Sequence, residues 1–341
     1  MKHFNIPVFI PHIGCQFDCV FCNQKHITGV MKNVTQEQIK DIIERHLETI
    51  EKDAYKEIAF FGGSFTGIDE NLREIYLKTA YEYVKSGDVS GIRISTRPDY
   101  IDEHILNQLS EFGVKVIELG VQSMDEEVLE ASGRGHSPED VKRASKLIKD
   151  FGFSLGLQMM TGLPKDTDEK SLKTADEIIS LKPDCVRIYP TLVIKDTRLE
   201  EMFESGEYMP QSLENAVGLS AKLLRKFNKE HIKVIRIALM TTDEISPGGK
   251  LVAGPFHSAF RELVESRIYY EDIGAELKEK TGKKIEIAVN PSEISKAIGN
   301  KRCNIKKFKE DFGMDIIVKG DNFIKPGEFK ICGEKERGAC I

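Results

Sequence analysis

The sequence predicts an α/β protein built on a parallel sheet, followed by a smaller α+β module. Three observations carry that prediction. From the region of residue 15 to about residue 240, short apolar runs alternate with amphipathic helical stretches, the pattern that gives parallel strands joined by right-handed crossovers. The tail breaks this pattern and reads strand–helix–turn–helix–strand at about 283–320. The chain has 341 residues, enough for one large domain and one small one. We place the large domain at 1–245 and a C-terminal extension at 246–341.

The units follow in order. Thr35 opens a capping box with Gln38, and Ile39, Ile42, Ile43, Leu47 and Ile50 share one helical stripe. Residues 58–61 read as a buried strand closed by Gly62-Gly63. A helix through Leu72, Ile75, Tyr76 and Tyr83 leads to a strand at 92–95. Asp102 caps the next helix, and Ile105, Leu106, Leu109 and Phe112 face inward from it. A strand at 116–121 follows. Ser137-Pro138 then opens a helix that Gly152 ends in left-handed backbone. Strands at 153–160 and 185–189 are separated by a helix at 168–181. About six strand–helix units result, and active groups are expected at the carboxyl ends of their strands.

Composition excludes several classes. Apolar residues make up 40% and charged residues 30% of the chain, which excludes disorder and allows a proper core. No apolar run approaches the roughly 20 residues that span a bilayer, so no membrane association is expected. The start, Met1-Lys2-His3-Phe4-Asn5-Ile6-Pro7, reads as neither a signal nor a transit peptide. Seven cysteines are an odd number, against a disulfide framework and in keeping with a reducing, cytoplasmic setting.

Three of those cysteines are the most specific signal in the chain. Gly14-Cys15-Gln16-Phe17-Asp18-Cys19-Val20-Phe21-Cys22-Asn23 has the spacing C-x3-C-x2-C. Three thiolates on one short loop can hold three irons of a 4Fe–4S cluster, leaving the fourth iron open where a ferredoxin would close it. The alternative is zinc, with His12 or His26 as a fourth ligand. Zinc sites more often pair two C-x2-C units. Here Cys185, Cys303, Cys332 and Cys340 are distant and unpaired. Cluster ligation is therefore the reading adopted.

In this spacing the chain resembles the radical S-adenosylmethionine (radical SAM) enzymes. The resemblance implies a partial (β/α)6 TIM-type barrel with the cluster loop after the first strand. It also implies that the open iron chelates the amino and carboxylate groups of SAM. Reductive cleavage then gives a 5′-deoxyadenosyl radical, chemistry that belongs to the cofactor. Phe60-Phe61-Gly62-Gly63-Ser64-Phe65-Thr66 occupies the position that binds the SAM amino group in that family, with Ser64 where glutamate is usual. Read without the resemblance, the two glycines are a tight turn. Arg97, in Ser95-Thr96-Arg97-Pro98-Asp99, is expected to pair with the SAM carboxylate, or else to stabilise a turn by a surface salt bridge. Gln122 and Ser123 end the next strand, where a buried glutamine needs partners that ribose hydroxyls would supply. Met159 is read as a wall for the adenine, with ordinary core as the alternative for it and Met160.

Gly120-Val121-Gln122-Ser123 and Gly133-Arg134-Gly135-His136 resemble the coproporphyrinogen oxidase and Elongator catalytic-subunit branches of these enzymes. Arg134 and His136 are read as substrate contacts or as the start of a capped helix. Arg97-Pro98-Asp99-Tyr100 and the segment Val186-Arg187-Ile188-Tyr189-Pro190-Thr191, with Gly206-Glu207-Tyr208 beyond it, are similar to the Elongator subunit. The resemblance covers roughly residues 1–240 and implies a transfer RNA substrate. An acetyl-CoA site is not expected, since Ser246-Pro247-Gly248-Gly249-Lys250 reads as a turn.

In the tail, residues 285–289 alternate in polarity, a short helix spans 291–297, and a second helix carries Ile305, Phe308 and Phe312 before Gly313. A strand follows at 315–318. This order, with Ile298-Gly299-Asn300-Lys301-Arg302-Cys303-Asn304-Ile305 at the turn, resembles a KH module like those of NusA. A KH turn grips nucleic-acid backbone through two glycines; here Gly299 is present and Arg302 stands at the second position. Residues 281–309 hold eight Lys or Arg against two Glu, a local charge of +6 in a chain of net −6. Gly299, Lys301, Arg302, Lys306 and Lys307 are therefore the expected RNA contacts, with a solvated helix face as the alternative.

The expected function is a radical SAM enzyme with a 4Fe–4S cluster on Cys15, Cys19 and Cys22, acting on RNA and reduced by ferredoxin or flavodoxin. Two rivals stay open: the same barrel acting on a small-molecule or porphyrin-type substrate, and a non-catalytic RNA-binding protein with a structural iron–sulfur or zinc site.

Overall fold

The computed structural model describes residues 2–10, 15–22, 33–242, 245–278 and 284–334. His12, His26 and Cys340 lie outside them, and with them the fourth ligand of the alternative zinc site.

Six parallel strands alternate with helices: β1 (His3–Ile10), β2 (Tyr55–Gly62), β3 (Gly91–Thr96), β4 (Val114–Gln122), β5 (Ser154–Thr161) and β6 (Cys185–Pro190). The chain then forms β7 (Val193–Ile194), adds a seventh parallel strand, β8 (Lys233–Ile237), and pairs β9 (Leu251–Ala253) antiparallel with β7. The sheet order β1-β2-β3-β4-β5-β6-β8 is that of a partial (β/α) barrel, extended by one strand beyond the six units expected.

Register explains why the sheet holds. Ile6, Ile58 and Ile92 align across β1, β2 and β3, and Val8, Phe60, Ile94, Ile117 and Leu155 align one step further on. All eight are fully buried. Each such side chain contributes about 1.5–3 kcal/mol by leaving water. A one-residue slip would expose the whole row. The helices start where the sequence marks them. Thr35 and Ser137 form capping boxes with Gln38 and Asp140, Asp102 accepts from the Ile105 amide, and Gly152 takes φ +82° just past its helix.

The chain divides into two compact units, Met1–Ser212 with Leu223–Phe256, and Leu213–Lys222 with His257–Ile341. The first therefore runs past residue 245. Pairing of β9 with β7, and burial of Ile245 beside Leu192 and Ile194, account for that. The second unit carries β10 (Lys284–Val289), β11 (Asp315–Gly320) and β12 (Phe329–Glu334), with β11 parallel and β12 antiparallel to the central β10. Helices Ile294–Ile298 and Cys303–Phe312 lie between β10 and β11 in sequence, the order the tail predicted. Ile285, Ile287, Val289 and Phe308 form its core with Tyr269 and Ile273 of the helix Phe260–Leu277. Among the described residues, no helix is long and apolar enough to cross a membrane.

Candidate functional site

The cysteine loop follows β1 and is held by segments that follow other strands. The Gln16 amide donates to the Tyr100 hydroxyl (3.0 Å), the Val20 amide to the Ser132 carbonyl (3.0 Å), and the Leu199 amide to the Val20 carbonyl (2.8 Å). These partners come after β3, β4 and β7, so the loop sits over the carboxyl edge of the sheet. Cys15, Cys19 and Cys22 are in no disulfide, Cys19 buried and the others half-buried. Cys19 and Cys22 close a tight turn through an amide–carbonyl bond of 2.9 Å. No three His, Cys, Asp or Glu side chains among the described residues are grouped to hold one metal ion. A 4Fe–4S cubane makes a different demand, one thiolate per iron, and three cysteines outside any disulfide on one loop match it.

The residues expected to bind SAM line the same edge, in different states of engagement. Gly62 ends β2 at φ +104°, and the Gly63 amide donates to the Ile10 carbonyl (3.3 Å). The Ser64 hydroxyl is engaged within the protein, bonded to the Thr96 hydroxyl (2.9 Å) and accepting the Arg97 amide (3.0 Å). Arg97 is 2% exposed; its Nε donates to Asp99 (2.9 Å) and its Nη2 to the Arg134 carbonyl (2.6 Å), while its guanidinium lies 4.3 Å over the Phe17 ring. Its Nη1 is buried and has no partner among the described residues. Burial works against the charge of Arg97, but Asp99 more than offsets it and raises the pKa. Arg97 is thus paired with Asp99 and still has one donor to spare.

Gln122 takes φ +66°, where a register irregularity in β4 turns the end of the strand, and its Oε1 accepts from Gln158 (3.4 Å). A non-glycine residue in left-handed backbone stores strain, a feature that clusters at functional sites. Ser123 is placed differently. Its hydroxyl pairs with Thr174 (3.3 Å) and accepts the Asp125 amide (3.1 Å), a structural use. Met159 is fully buried on the face of β5 that carries Leu155 and Leu157, whereas Gln158 and Met160 alternate onto the other face and stay partly exposed. Strand alternation therefore puts Met159 in the core behind the sheet.

Arg134 and His136 are buried at the same edge. Arg134 Nη2 donates to the Gly120 carbonyl (2.7 Å), Nη1 lies 3.6 Å from the Cys19 sulfur, and Nε has no partner among the described residues. Burial, with the charges of Arg134 and Arg97, lowers the His136 pKa to about 3. The ring is therefore neutral at pH 7. Nε2 donates to the Val121 carbonyl (3.1 Å), which leaves Nδ1 as a buried acceptor without a partner among the described residues.

Sequence reasoning missed a second set of residues. Glu57, Arg93, Glu118 and Arg187 project from the middle of β2, β3, β4 and β6 and are all nearly fully buried. Arg93 bridges Glu57 (2.8 Å) and Glu118 (2.8 Å); Arg187 grips Glu118 bidentately, with 2.9 Å from Nη2 to Oε1; His3 contacts Glu57 (2.8 Å). The signal lies in Ile92-Arg93-Ile94, Ile117-Glu118-Leu119 and Val186-Arg187-Ile188, each a charge between two apolar residues of a strand.

In the second unit, Gly299 sits at φ +80°, ψ 155°, and a Cβ there would fall 2.6 Å from the Cys303 sulfur. Lys301 and Arg302 both take left-handed backbone, φ +50° and +60°. Asn304 clamps the turn from inside, its amide donating to Ser266 and to the Ala297 carbonyl (3.2 Å). Lys301, Arg302, Lys306 and Lys307 are exposed. Lys307 lies 5.7 Å over the Tyr270 ring and Lys309 pairs with Asp315 (3.0 Å), whereas Lys301, Arg302 and Lys306 make no ion pair among the described residues.

Comparison with known proteins agrees with this arrangement. The Radical SAM superfamily model matches residues 9–178, and a Radical_SAM C-terminal domain model matches 183–270. A tRNA uridine(34) acetyltransferase of Methanocaldococcus jannaschii is 35% identical over 181 residues, 47% of this chain and 34% of that protein. Elongator complex protein 3 of Homo sapiens is 30% identical over 251 residues, 68% of this chain and 44% of that protein. This chain therefore spans well under two thirds of either relative. Among solved structures, Methanocaldococcus infernus Elp3 with an N-terminal deletion (1–46) matches with a TM-score of 0.63 at 26% identity, over 80% of this chain and 63% of that one. Matched through its barrel and through the segment that follows, this chain belongs to the radical SAM superfamily, whose members use a 4Fe–4S cluster and SAM.

Proposed function

We propose that this chain cleaves SAM reductively at a cluster held by Cys15, Cys19 and Cys22, and that its substrate is transfer RNA. One observation carries the first half: three cysteines outside any disulfide on a loop at the carboxyl edge of the sheet, beside buried nitrogens of Arg97, Arg134 and His136 that have no partner among the described residues. Buried polar groups are almost always paired, so these nitrogens mark the edge as the place a ligand completes.

The bound cluster supplies the electron, drawn from ferredoxin or flavodoxin, that breaks the sulfonium of SAM. The protein's own part is binding and orientation. Arg97 Nη1 is the donor left for the SAM carboxylate, with the guanidinium held in place by Asp99 and Phe17. The Gly62-Gly63 backbone takes the amino group; the Ser64 hydroxyl, already bonded twice, does not contribute. The Gln122 amide reaches the ribose hydroxyls. Ser123 and Met159 support these groups from behind.

The relatives named for tRNA uridine(34) and for Elongator support an RNA substrate. The second unit supplies a KH-like turn at Gly299, with Lys301, Arg302, Lys306 and Lys307 available to phosphates. Arg302 gains a charge at the position where close backbone approach would need glycine.

Two assays test this reading. Under anaerobiosis, protein reconstituted with iron and sulfide, reduced and given SAM should form 5′-deoxyadenosine, and Cys22→Ala should form none. Zinc uptake without a cluster overturns it. A cluster that turns over SAM only with a small molecule overturns the RNA half. Transfer RNA binding should weaken with salt, and Lys301→Glu with Arg302→Glu should lower the salt slope by about two.

A further inference from the structure

Gly133-Arg134-Gly135-His136 reads in the sequence as substrate contacts or as a capped helix entry, and a helix, Pro138–Asp150, capped by Ser137 and Asp140, does follow it. Its contacts point to a further role. Arg134 is 7% exposed, with one end of its fork at the Gly120 carbonyl and the other at the Cys19 sulfur.

The segment is built against the cysteine loop. A Cβ on Gly133 would approach the Asp18 carbonyl at 3.2 Å, and one on Gly135 would enter the Phe17 ring at 2.2 Å. Both glycines have positive φ, +63° and +74°. Only glycine meets both demands, the backbone and the close approach. The neighbouring Ser132 carbonyl takes the Val20 amide, and the Arg134 carbonyl takes Arg97 Nη2. From this seat Arg134 spans the Gly120 carbonyl and the Cys19 sulfur. Gly120 leaves room for the fork, since a Cβ there would come within 2.7 Å of Arg134 Nη2 and push the guanidinium aside.

We propose that this segment is the clasp of the cysteine loop, and that Arg134, donating to the Cys19 sulfur, raises the reduction potential of the cluster bound there. The proposal rests on the ligand assignment made above. Hydrogen bonds to ligand sulfur are among the determinants of iron–sulfur potentials. A donor held by its other end stabilises the extra negative charge of the reduced cluster. Arg134 is thus a positioning residue. Its planar fork holds two acceptors in one fixed geometry, where a lysine offers a compact charge on a flexible stem.

The test is a redox titration of the reconstituted protein, followed by electron paramagnetic resonance of the reduced cluster. Arg134→Gln should lower the midpoint potential, and Arg134→Lys should fall between it and wild type, keeping the charge without the fork. Gly120→Ala should lower it too, by displacing the guanidinium while Arg134 remains. A potential unchanged in Arg134→Gln, with full iron and sulfide, overturns the proposal. If Arg134→Gln takes up no cluster, Gly120→Ala decides alone, and an unchanged potential there overturns it. Wild-type protein that forms no cluster fails at the ligand assignment, a distinct result from an unshifted potential.

Discussion

The inner face of the sheet and its carboxyl edge bury the same kinds of residue and treat them in opposite ways. On the inner face Arg93 uses all three guanidinium nitrogens on Glu57 and Glu118, and Arg187 all three on Glu118 and Tyr189. At the edge, Arg97 and Arg134 are as deeply buried, yet each keeps one nitrogen without a partner among the described residues. Burial of an arginine therefore says little about its use here. A closed set of partners marks a group that holds the sheet together, and an open one marks a group that still has a ligand to meet. Inner-face substitutions should accordingly cost stability, and edge substitutions should cost ligand affinity.

The largest effect is expected from Glu118→Gln. The change is nearly isosteric but leaves Arg93 and Arg187 without the carboxylate they share. Breaking one side of a buried ion pair costs about 3–5 kcal/mol, a large share of the roughly 5–15 kcal/mol that stabilises a folded protein. Urea unfolding of wild type and variant measures it. A loss smaller than that of Arg97→Gln would break the comparison.

Acid gives the next largest effect, and its sign follows from Glu118. Burial pushes its carboxyl up, but Arg187 and Arg93 more than offset that and hold it below the ordinary glutamate value. Glu57, Cys185 and Tyr189 also face this cluster. A depressed folded-state pKa stabilises above the unfolded value, about 4.3, and that contribution is lost as pH falls through the folded value. Wild type should therefore lose stability below about pH 4 more steeply than Glu118→Gln. Parallel slopes in the two proteins would show that the carboxylate carries no linked proton.

What the sequence disclosed divides along the same line. Local signals were legible because they are written within a few residues: the Thr35 box, the helix opening at Ser137-Pro138, the Asp102 cap and the left-handed Gly152 all form as read. The cysteine spacing was equally local. The inner-face cluster was not, since Glu57, Arg93, Glu118 and Arg187 are brought together only by register across five strands, β2 to β6. The role of Gly133 and Gly135 was hidden for the same reason. A glycine announces freedom at its own backbone, but the Phe17 ring that forbids a side chain at Gly135 lies more than a hundred positions away. Met159, read either as an adenine wall or as ordinary core, is core; one step of strand alternation decides it, which a run from Leu155 to Met160 with Gln158 as its one polar residue barely shows.

The smallest stability effect belongs to Gln122→Gly, and it sharpens the comparison most. Gln122 holds left-handed backbone at φ +66°, which costs a non-glycine residue roughly 1–2 kcal/mol. Glycine removes that strain but brings about 0.5–1 kcal/mol of extra unfolded-state freedom, so the two changes largely cancel. Thermal unfolding of the protein without SAM should move little. SAM binding to the reconstituted protein should weaken by about tenfold, the loss of one or two hydrogen bonds at about 0.5–1.5 kcal/mol each. A fall in stability as large as that of Glu118→Gln would put Gln122 with the closed set, as a group the sheet needs. Unchanged SAM affinity would show that the strain at Gln122 serves the turn out of β4 and not a ligand. Only the combination of near-native stability and weakened SAM binding is the signature of the open edge.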